Sequence, residues 1–334
     1  MTRHDIKIIA ADCLNRLGVV DWLARRQNAV QILMFHQVNP VENAVGLSVT
    51  PELFEKLVIF LKSRYELISL QQAVERLASH DQPTGCVLTF DDGFRDNYDH
   101  AFPILKKHGI PATIFATVDA LDSGVSGWDL FDQAVMEGEH ESVDLTRFGL
   151  GKLSAGKHER QSLVAELHRI LKALPDAAKR EIVDHVIAEH NPNNFCRTML
   201  TWSEAREMAD SGLVTIGAHT ITHPILSRTG PEQARKEIID GKTLVEQRLG
   251  LPVDYFAYPN GNRTDFNDEH QTMVQAGGYS AACSTIVGSN RAGCNLFALK
   301  RFDVTTRVCT DTSGRYSEAL FSANISGLFM LGGH

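Results

Sequence analysis

Two neighbouring acidic residues have the types and the position that hydrolytic chemistry needs. Asp91 and Asp92 precede Gly93 and directly follow the apolar run CVLTF at 86–90. A run of this kind predicts a buried parallel strand, at whose carboxyl end the ligands of α/β folds bind. Adjacent side chains normally point apart, but a sharp turn at Gly93 could bring both carboxylates into one site. Taken alone, the motif is equally typical of a helix-capping turn.

Two histidines stand in a similar position after another apolar run. His219 and His223 belong to the segment HTITH, which follows LVTIG at 213–217. Histidines four residues apart can face one cation from a single helical turn, although Pro224 leaves open whether a regular helix begins there. A surface or capping role is the alternative for this pair. Together, two histidines and one carboxylate would form a three-ligand catalytic metal site, which leaves the second carboxylate free.

The bulk composition indicates a globular chain and disfavours nucleic acid as a partner. Of 334 residues, 43% are hydrophobic and 22% are charged, which is enough to bury a sizeable core. Acidic residues outnumber basic ones by 41 to 33, and the net charge of −8 repels a polyanion. The six cysteines include no C-x-x-C pair, so we expect free thiols in a reducing compartment. They are Cys13, Cys86, Cys196, Cys283, Cys294 and Cys309.

The amino-terminal segment carries a helical stripe of apolar residues rather than the continuous run of a signal peptide. The stripe includes Ile6, Ile9, Cys13 and Leu17. Such a helix usually docks on the protein's own core, and contact with a membrane surface is the alternative. No run reaches the ~20 apolar residues of a membrane span. We therefore expect a cytoplasmic protein, with peripheral membrane contact through residues 1–30 left open.

Apolar runs alternate with helical patterns along most of the chain. Runs that predict buried strands are 31–35, 86–90, 110–117, 213–217, 255–258, 279–283 and 297–302. Helical spacing occurs at 51–63, 70–79, 97–108, 231–249 and 267–276, and Thr201 to Glu204 has the form of a capping box. Strand, helix and strand in alternation predict a right-handed parallel α/β unit.

One long segment departs from this alternation. Residues 122–197 are polar and charged, with helical patterns near 158–173 and 176–190 and no convincing buried strand. We interpret the segment as a helical insertion bordering the mouth of the site, because it leaves the sheet after a strand that runs toward the active face. The predicted division is an amphipathic helix at 1–30, a catalytic unit at 31–121 and 198–316, the insertion at 122–197, and a tail at 317–334.

The sequence resembles the polysaccharide deacetylase family, carbohydrate esterase family 4. The family's first motif, T-F-D-D-G, and its second, H-[ST]-x-x-H, are both met in full, and the resemblance covers about 32–121 and 202–304. It implies that Asp91 is the catalytic base and that Asp92, His219 and His223 hold one divalent cation, expected to be Zn²⁺. It also implies a distorted (β/α) barrel of about seven parallel strands. The implied activity removes an N-acetyl group from an amino sugar in a glycan or a glycan precursor.

The later motifs depart from the family pattern. The third motif, R-x-P-Y in the family, is matched here by Ala-Tyr-Pro-Asn at 257–260, as in a branch of the family with a Y-P-x-G version. We expect Tyr258, Pro259 and Asn260 to contact the substrate. Arg301, at the end of a predicted strand, is the candidate replacement for the arginine that orients the base, and an exposed strand-end arginine is the alternative.

The general acid is the second departure. The family's Leu-x-His motif has no match, because no histidine lies between His270 and His334. His36 follows the strand predicted at 31–35, so it should emerge on the same face as Asp91. A protonated imidazole there could donate to the departing amine, while a structural histidine bonded to a neighbouring loop is the alternative.

The sequence is also compatible with two other functions. One is a deformylase or amidase acting on a lipid-linked sugar or on a non-sugar amide. The other is a non-catalytic sugar-binding protein on the same fold, suggested by the altered third and fifth motifs. In every case the expected partner is an N-acylated sugar or a similar amide, and not a nucleic acid.

Overall fold

Seven parallel strands close into a barrel at the centre of the protein. The computed structural model describes residues 3–17, 28–41, 46–79, 83–137, 142–154, 160–190 and 197–330. Around the barrel the strands follow the order β1-β11-β10-β9-β8-β5-β4, and every neighbouring pair is parallel. Their bounds are β1 Val30–Phe35, β4 Gly85–Phe90, β5 Ala112–Ala116, β8 Val214–Ala218, β9 Tyr255–Ala257, β10 Ala281–Val287 and β11 Leu299–Asp303. The expected (β/α) barrel is confirmed, and each strand corresponds to one of the apolar runs.

Helices follow or flank the barrel strands. They are α1 Arg3–Arg16, α2 Pro51–Arg64, α3 Leu70–Ala78, α4 Phe102–His108, α5 Val118–Ser123, α6 Gly127–Glu137, α7 Arg160–Lys172, α8 Asp176–His190, α9 Trp202–Asp210, α10 Pro231–Arg235, α11 Gly241–Leu249, α12 Asp268–Ala276, α13 Thr306–Cys309 and α14 Glu318–Ile325. The predicted capping box at the start of α9 is present, since Thr201 accepts from the Glu204 N–H while Glu204 accepts from the Thr201 N–H. One turn of π-helix precedes α4, at Asn97–Ala101, and another joins α10 to α11, at Lys236–Asp240.

The barrel is packed on both of its faces, which explains why its strands are continuously apolar. All six residues of β1 and all six of β4 are buried. On β4, Leu88 and Phe90 pack outward against the surrounding helices, whereas Val87 belongs to the apolar cluster inside the barrel. This alternation directs Thr89, and then Asp91, toward the interior at the carboxyl end of the strand.

Residues 127–186 contain a hydrophobic cluster that is separate from the barrel core. Helices α6, α7 and α8 bury Phe131, Leu167, Val186 and their neighbours against a short antiparallel hairpin, β6 Ser142–Leu145 and β7 Gly151–Ser154. The sequence missed this hairpin, because four-residue strands with one buried face carry little apolar periodicity. This separate hydrophobic cluster favours the predicted insertion at 122–197. Parts of that segment, including Cys196, lie outside the described residues. The division into domains stays a prediction.

The helix at the amino terminus packs against the helix near the carboxyl terminus. Ala11 of α1 is buried against Ala319, Leu320 and Ala323 around α14, while Ile6 and Ile9 remain about half exposed. A second small parallel pair, β2 Gln37–Val38 with β3 Ser48–Val49, lies between β1 and α2. Among the described residues, none of the helices has the length and apolar character to cross a membrane.

Candidate active site

The predicted chemical residues emerge from the carboxyl ends of neighbouring barrel strands. Asp91 follows β4, His219 follows β8, and His36 follows β1. The Asp91 N–H donates to the Phe35 carbonyl and the His219 N–H donates to the Ala116 carbonyl, so both residues continue the strand ladder by one step. The parallel register therefore places them on one face of the barrel, as the sequence predicted.

A sharp turn separates the roles of the two adjacent carboxylates. Asp92 has φ of 71° and Gly93 has φ of 83°, both in the left-handed region. A Cβ atom on Gly93 would lie 2.8 Å from the flexible end of the Leu121 side chain, so it is the positive φ that favours glycine here. Because Asp92 leaves the strand direction in this way, its carboxylate faces the histidines while the Asp91 carboxylate faces the interior of the barrel.

Asp91 forms a bidentate ion pair with Arg301. The guanidinium Nη1 and Nη2 atoms each lie 2.7 Å from one carboxylate oxygen, and neither side chain is appreciably exposed. Arg301 also donates from Nε to the Ser284 carbonyl and from Nη1 to the Thr89 hydroxyl. Burial raises the pKa of Asp91, but the charges of Arg301 and His219 outweigh burial and lower it. The alternative of an exposed strand-end arginine is therefore wrong, since Arg301 is fully buried.

Asp92, His219 and His223 converge on one point. The Nε2 atoms of His219 and His223 lie 3.4 and 3.1 Å from the Asp92 Oδ1 atom, and the three ligand atoms are all within 4.8 Å of one another. Ligands held at ~2.0–2.1 Å around a tetrahedral zinc ion stand about 3.3 Å apart, so the donor set and its spacing fit a divalent cation. The His219 Nδ1 atom faces the Ala257 carbonyl at 2.8 Å; when Nδ1 carries the proton, Nε2 is free to bind metal.

The electrostatics of this cluster affect its three side chains differently. Burial raises the pKa of Asp92, but the imidazoles of His223 and His219 outweigh burial and hold that pKa well below its usual range. Burial lowers the pKa of His223 in spite of the nearby Asp92 charge. Burial lowers the pKa of His219, but its hydrogen bond to Asp92 and the charges of Asp91 and Asp92 outweigh burial and raise that pKa. A metal ion would therefore compete with a proton on His219, because it binds a neutral imidazole beside an ionised carboxylate.

His36 lies close enough to interact electrostatically with both carboxylates. A positive charge on His36 lowers the pKa of Asp91 and that of Asp92, behind the larger effects of burial, Arg301 and His223. The His36 carbonyl accepts from the Asn97 side chain, whereas its buried Nδ1 atom has no hydrogen-bond partner among the described residues. The structure thus brings His36 to the site, and its role as an acid stays a prediction.

The third-motif residues divide between the core and the site. Tyr258 is almost fully buried, with its ring stacked on Phe266 at 4.0 Å and its hydroxyl donating to the Phe297 carbonyl. The assignment of Tyr258 as a substrate contact is therefore corrected, because a buried ring with a satisfied hydroxyl has no surface to offer. Pro259 is also buried, whereas Asn260 is partly exposed with φ of 58°. Substrate contact by Pro259 and Asn260 stays a prediction.

Two charged residues from the segment 122–197 lie within electrostatic range of the Asp92, His219 and His223 cluster. Burial raises the pKa of Asp129 to about 6, and the charge of Asp92 contributes to that rise. The charge of Lys179 contributes to the lowered pKa of His223, after burial. Helices α6 and α8 therefore stand near the metal-binding cluster, which favours the predicted position of this segment beside the mouth.

The sequence did not identify the residues that hold Arg301 and the histidine loop in place. Thr89 and Ser284 hold Arg301, and Glu237 holds the loop that carries the two histidines. The chain offers one signal for Glu237, since it is a charged residue within the otherwise apolar stripe of Ala234, Ile238, Gly241 and Val245. Thr89 is the first residue of the T-F-D-D-G motif, although the motif does not indicate its contact with Arg301, and no local pattern distinguishes Ser284.

Comparisons with known proteins agree with the family resemblance. The sequence profile described as polysaccharide deacetylase matches residues 79–146 and 168–282, more than half of the chain. The chain is 24% identical over 303 residues to YxkH of Bacillus subtilis (strain 168), whose name also refers to polysaccharide deacetylase, with 90% of this chain and 80% of the relative covered.

Two solved structures share the fold. The deacetylase PplD of Streptococcus pyogenes, solved in complex with acetate, superposes with a TM-score of 0.57 at 20% identity and covers 83% of this chain and 92% of PplD. IcaB from Ammonifex degensii also gives a TM-score of 0.57, at 19% identity, over 89% of this chain and 97% of IcaB. At such identities the superpositions establish the barrel fold alone.

Proposed function

The chain belongs to the polysaccharide deacetylase family, and we propose that it is a divalent-metal-dependent hydrolase that removes the acetyl group from the amide nitrogen of an amino sugar. One observation carries the proposal: three side chains of types that bind metal converge beside a buried carboxylate, Asp91, that lies outside this group and is paired with Arg301. Family membership supports the reaction class, and the geometry supports the assignment of roles.

The division of labour follows from what each carboxylate contacts. Asp92 shares its Oδ1 atom with both imidazoles, so Asp92, His219 and His223 would hold the cation. A divalent cation bound there supplies Lewis-acid chemistry, by polarising the acyl carbonyl and acidifying a water molecule. Asp91 lies outside this ligand set and takes the proton of the attacking water.

Arg301 keeps the base oriented. Its two hydrogen bonds fix the plane of the Asp91 carboxylate and favour the ionised form. It would therefore take over the role of the third-motif arginine, from a different strand. The ion pair also makes Asp91 a weaker base, because a carboxylate with a lowered pKa accepts a proton less readily. The attacking water must therefore be more acidic if Asp91 is to take its proton.

Collapse of the tetrahedral intermediate needs an acid, since an amide nitrogen leaves poorly unless it is protonated. His36 is the candidate supported by its position after β1 and by its electrostatic interaction with both carboxylates. The products are the free amino sugar and acetate. Asp129 and Lys179 lie within electrostatic range of the site, which supports a part for 122–197 in substrate selection. A cytoplasmic location and contact of α1 with a membrane stay predictions.

The test combines metal analysis with product analysis. Purified protein should contain about one divalent cation per chain, with Zn²⁺ the expected metal, and should lose that cation when His219 is changed to alanine. Incubation with a panel of N-acetyl and N-formyl sugars, oligosaccharides and lipid-linked sugars should release acetate together with an equal amount of amine. Chelation should abolish release, and added Zn²⁺ should restore it.

The same assay separates the other functions. Release of formate in place of acetate would identify a deformylase, and release from non-sugar amides would identify a general amidase. Protein that binds sugar but lacks stoichiometric metal and releases no acid would be a binding protein, which would overturn the proposal.

A further inference from the structure

The loop that carries both histidines has an unfavourable backbone. Within residues 219–223, Thr220 has φ of 68° and His223 has φ of 56°. Left-handed conformations cost about 1 kcal/mol or more for residues with a Cβ atom, and more for a β-branched residue such as threonine. The surroundings must therefore hold the loop in place.

A single buried carboxylate receives the backbone of this loop. The Glu237 Oε2 atom accepts the N–H groups of Ile221 at 2.8 Å and Thr222 at 2.9 Å. Its Oε1 atom accepts the Thr222 hydroxyl at 2.8 Å and the Gln233 side-chain amide at 2.9 Å. Glu237 has no exposed surface, and no Lys or Arg among the described residues forms an ion pair with it. Its four hydrogen bonds are thus directed to the loop and to its own helix.

The other side of the loop is fixed by the start of α5. The N–H of Val118 donates to the Thr220 carbonyl, and the N–H of Asp119 donates to the Ile221 carbonyl. A Cβ atom at Gly241, four residues after Glu237, would lie in ordinary van der Waals contact with Ile221 and the Thr220 backbone at 3.5 Å, so this helix packs closely over the loop. Among the residues that the structure describes, Glu237 is the only charged side chain that hydrogen-bonds the backbone of this loop.

We propose that Glu237 is a positioning residue, which holds the His219–His223 loop in the conformation where both imidazoles face Asp92. The negative charge of Glu237, close to the backbone of this loop, also favours a cation bound by the two histidines that the loop carries. The inference depends on the proposed metal site but adds a residue outside the ligand set.

The test compares two glutamate-to-glutamine changes on the same helical segment. Glu237→Gln keeps the size of the side chain and one acceptor oxygen but removes the charge. Glu232→Gln makes the same change at an exposed position five residues earlier and is the matched control. Metal affinity is measured by competition of Zn²⁺ with a chelating indicator, and site geometry by the visible absorption bands of the Co²⁺-substituted protein. Melting of the metal-free protein reports on the fold.

We expect Glu237→Gln to weaken Zn²⁺ binding about 10–100-fold and to change the Co²⁺ spectrum, as other partners of metal-binding loops do. The control should match the wild type in both. Thr222→Val removes one of the four hydrogen bonds with little change in shape, and it should weaken binding to a smaller extent. This second variant decides the matter if Glu237→Gln does not fold.

Two results would overturn the inference. One is a Glu237→Gln protein that melts at a lower temperature yet binds Zn²⁺ as tightly as the wild type with the same Co²⁺ spectrum. The other is a Thr222→Val protein with unchanged affinity, if the first variant is unfolded. Failure of the wild type itself to bind metal would contradict the proposed function instead.

Discussion

The two sides of the site are built in different ways. On the base side, Asp91 is paired with Arg301, and the contacts of Arg301 go to Thr89 and Ser284 on the barrel strands. On the ligand side, Asp92 and His223 stand on turns beyond the strands, while His219 directly follows β8. Three of the four non-glycine residues with positive φ in the described chain, Asp92, Thr220 and His223, belong to this side.

Because of this difference, the conformations of the two sides should depend on bound metal to different extents. The barrel itself positions the base side, since Arg301 stands on β11 and Asp91 directly follows β4, the two strands that flank β1. The ligand side depends on loop contacts with an unfavourable backbone, and a bound cation would contribute to its stability. Removal of metal should therefore loosen the ligand side and leave the ion pair of the base side intact.

The largest expected effect separates the two carboxylates. Asp91→Asn should lower kcat about 10²–10⁴-fold because the amide cannot accept the proton of water, while Zn²⁺ content stays near one per chain. His219→Ala should lose the metal itself. Activity assays and metal analysis of both variants check this. Equal loss of metal from the two proteins would break the distinction between the sides.

The next prediction removes the partner of the base. Arg301→Met leaves a buried, uncompensated carboxylate and should lower the free energy of unfolding by about 3–5 kcal/mol. The lowered pKa of Asp91 contributes stability above its unfolded value of 3.8, which is lost as pH falls through the folded value. Without Arg301 that pKa rises, so the acid limb of the kcat/KM profile should move to higher pH.

Denaturant unfolding and pH–rate profiles measure these two changes. Arg307→Met, at an exposed arginine six residues later, is the control and should leave both unchanged. An Arg301→Met protein with wild-type stability and an unshifted acid limb would contradict the role given to the ion pair.

A smaller loss of rate is expected for His36, which borders both sides. His36→Gln should lower kcat about 10²-fold and flatten the alkaline limb of the pH profile, with KM and metal content retained, because it removes the proposed proton donor. His100→Gln, on the π-helical turn before α4, is the control. If the pH dependence of the His36 variant matches the wild type, His36 returns to a structural role.

The smallest effect concerns Asp96, a partly buried carboxylate that forms no ion pair among the described residues. Asp96 accepts the Val38 N–H, and burial raises its pKa to about 7. For a raised acidic pKa, stability is fully present below the unfolded value of 3.8 and is lost as pH rises through about 7. Asp96→Asn should therefore unfold less readily at pH ~8, by roughly 1–3 kcal/mol after allowance for solvent screening, with little difference near pH ~4.

Thermal or denaturant unfolding at the two pH values measures this effect, with Asp99→Asn on an exposed position as the control. A variant that gains no stability at the higher pH would contradict the effect of burial. The result sharpens the contrast with Asp91, where Arg301 reverses the direction of the shift.

The sequence by itself determined the seven strands and the motifs of the site. Strands buried on both faces are continuously apolar, so each was visible as a run, and Gly93 and Gly109 indicated where the turn and the end of α4 would come. The motifs TFDDG and HTITH identified Asp92, His219 and His223, and the structure brings their ligand atoms together. These features are local, because each depends on residues adjacent in the chain.

Only the tertiary structure decided how the site is supported and what Tyr258 does. Arg301 meets Asp91 across 210 positions of sequence, which depends on barrel closure and not on any local pattern. Glu237 contacts the histidine loop because a helix returns over it, and Tyr258 is buried because Phe266 covers its ring. Contacts between distant segments depend on the closed barrel and its connections, and a single sequence carries no periodic signal for them.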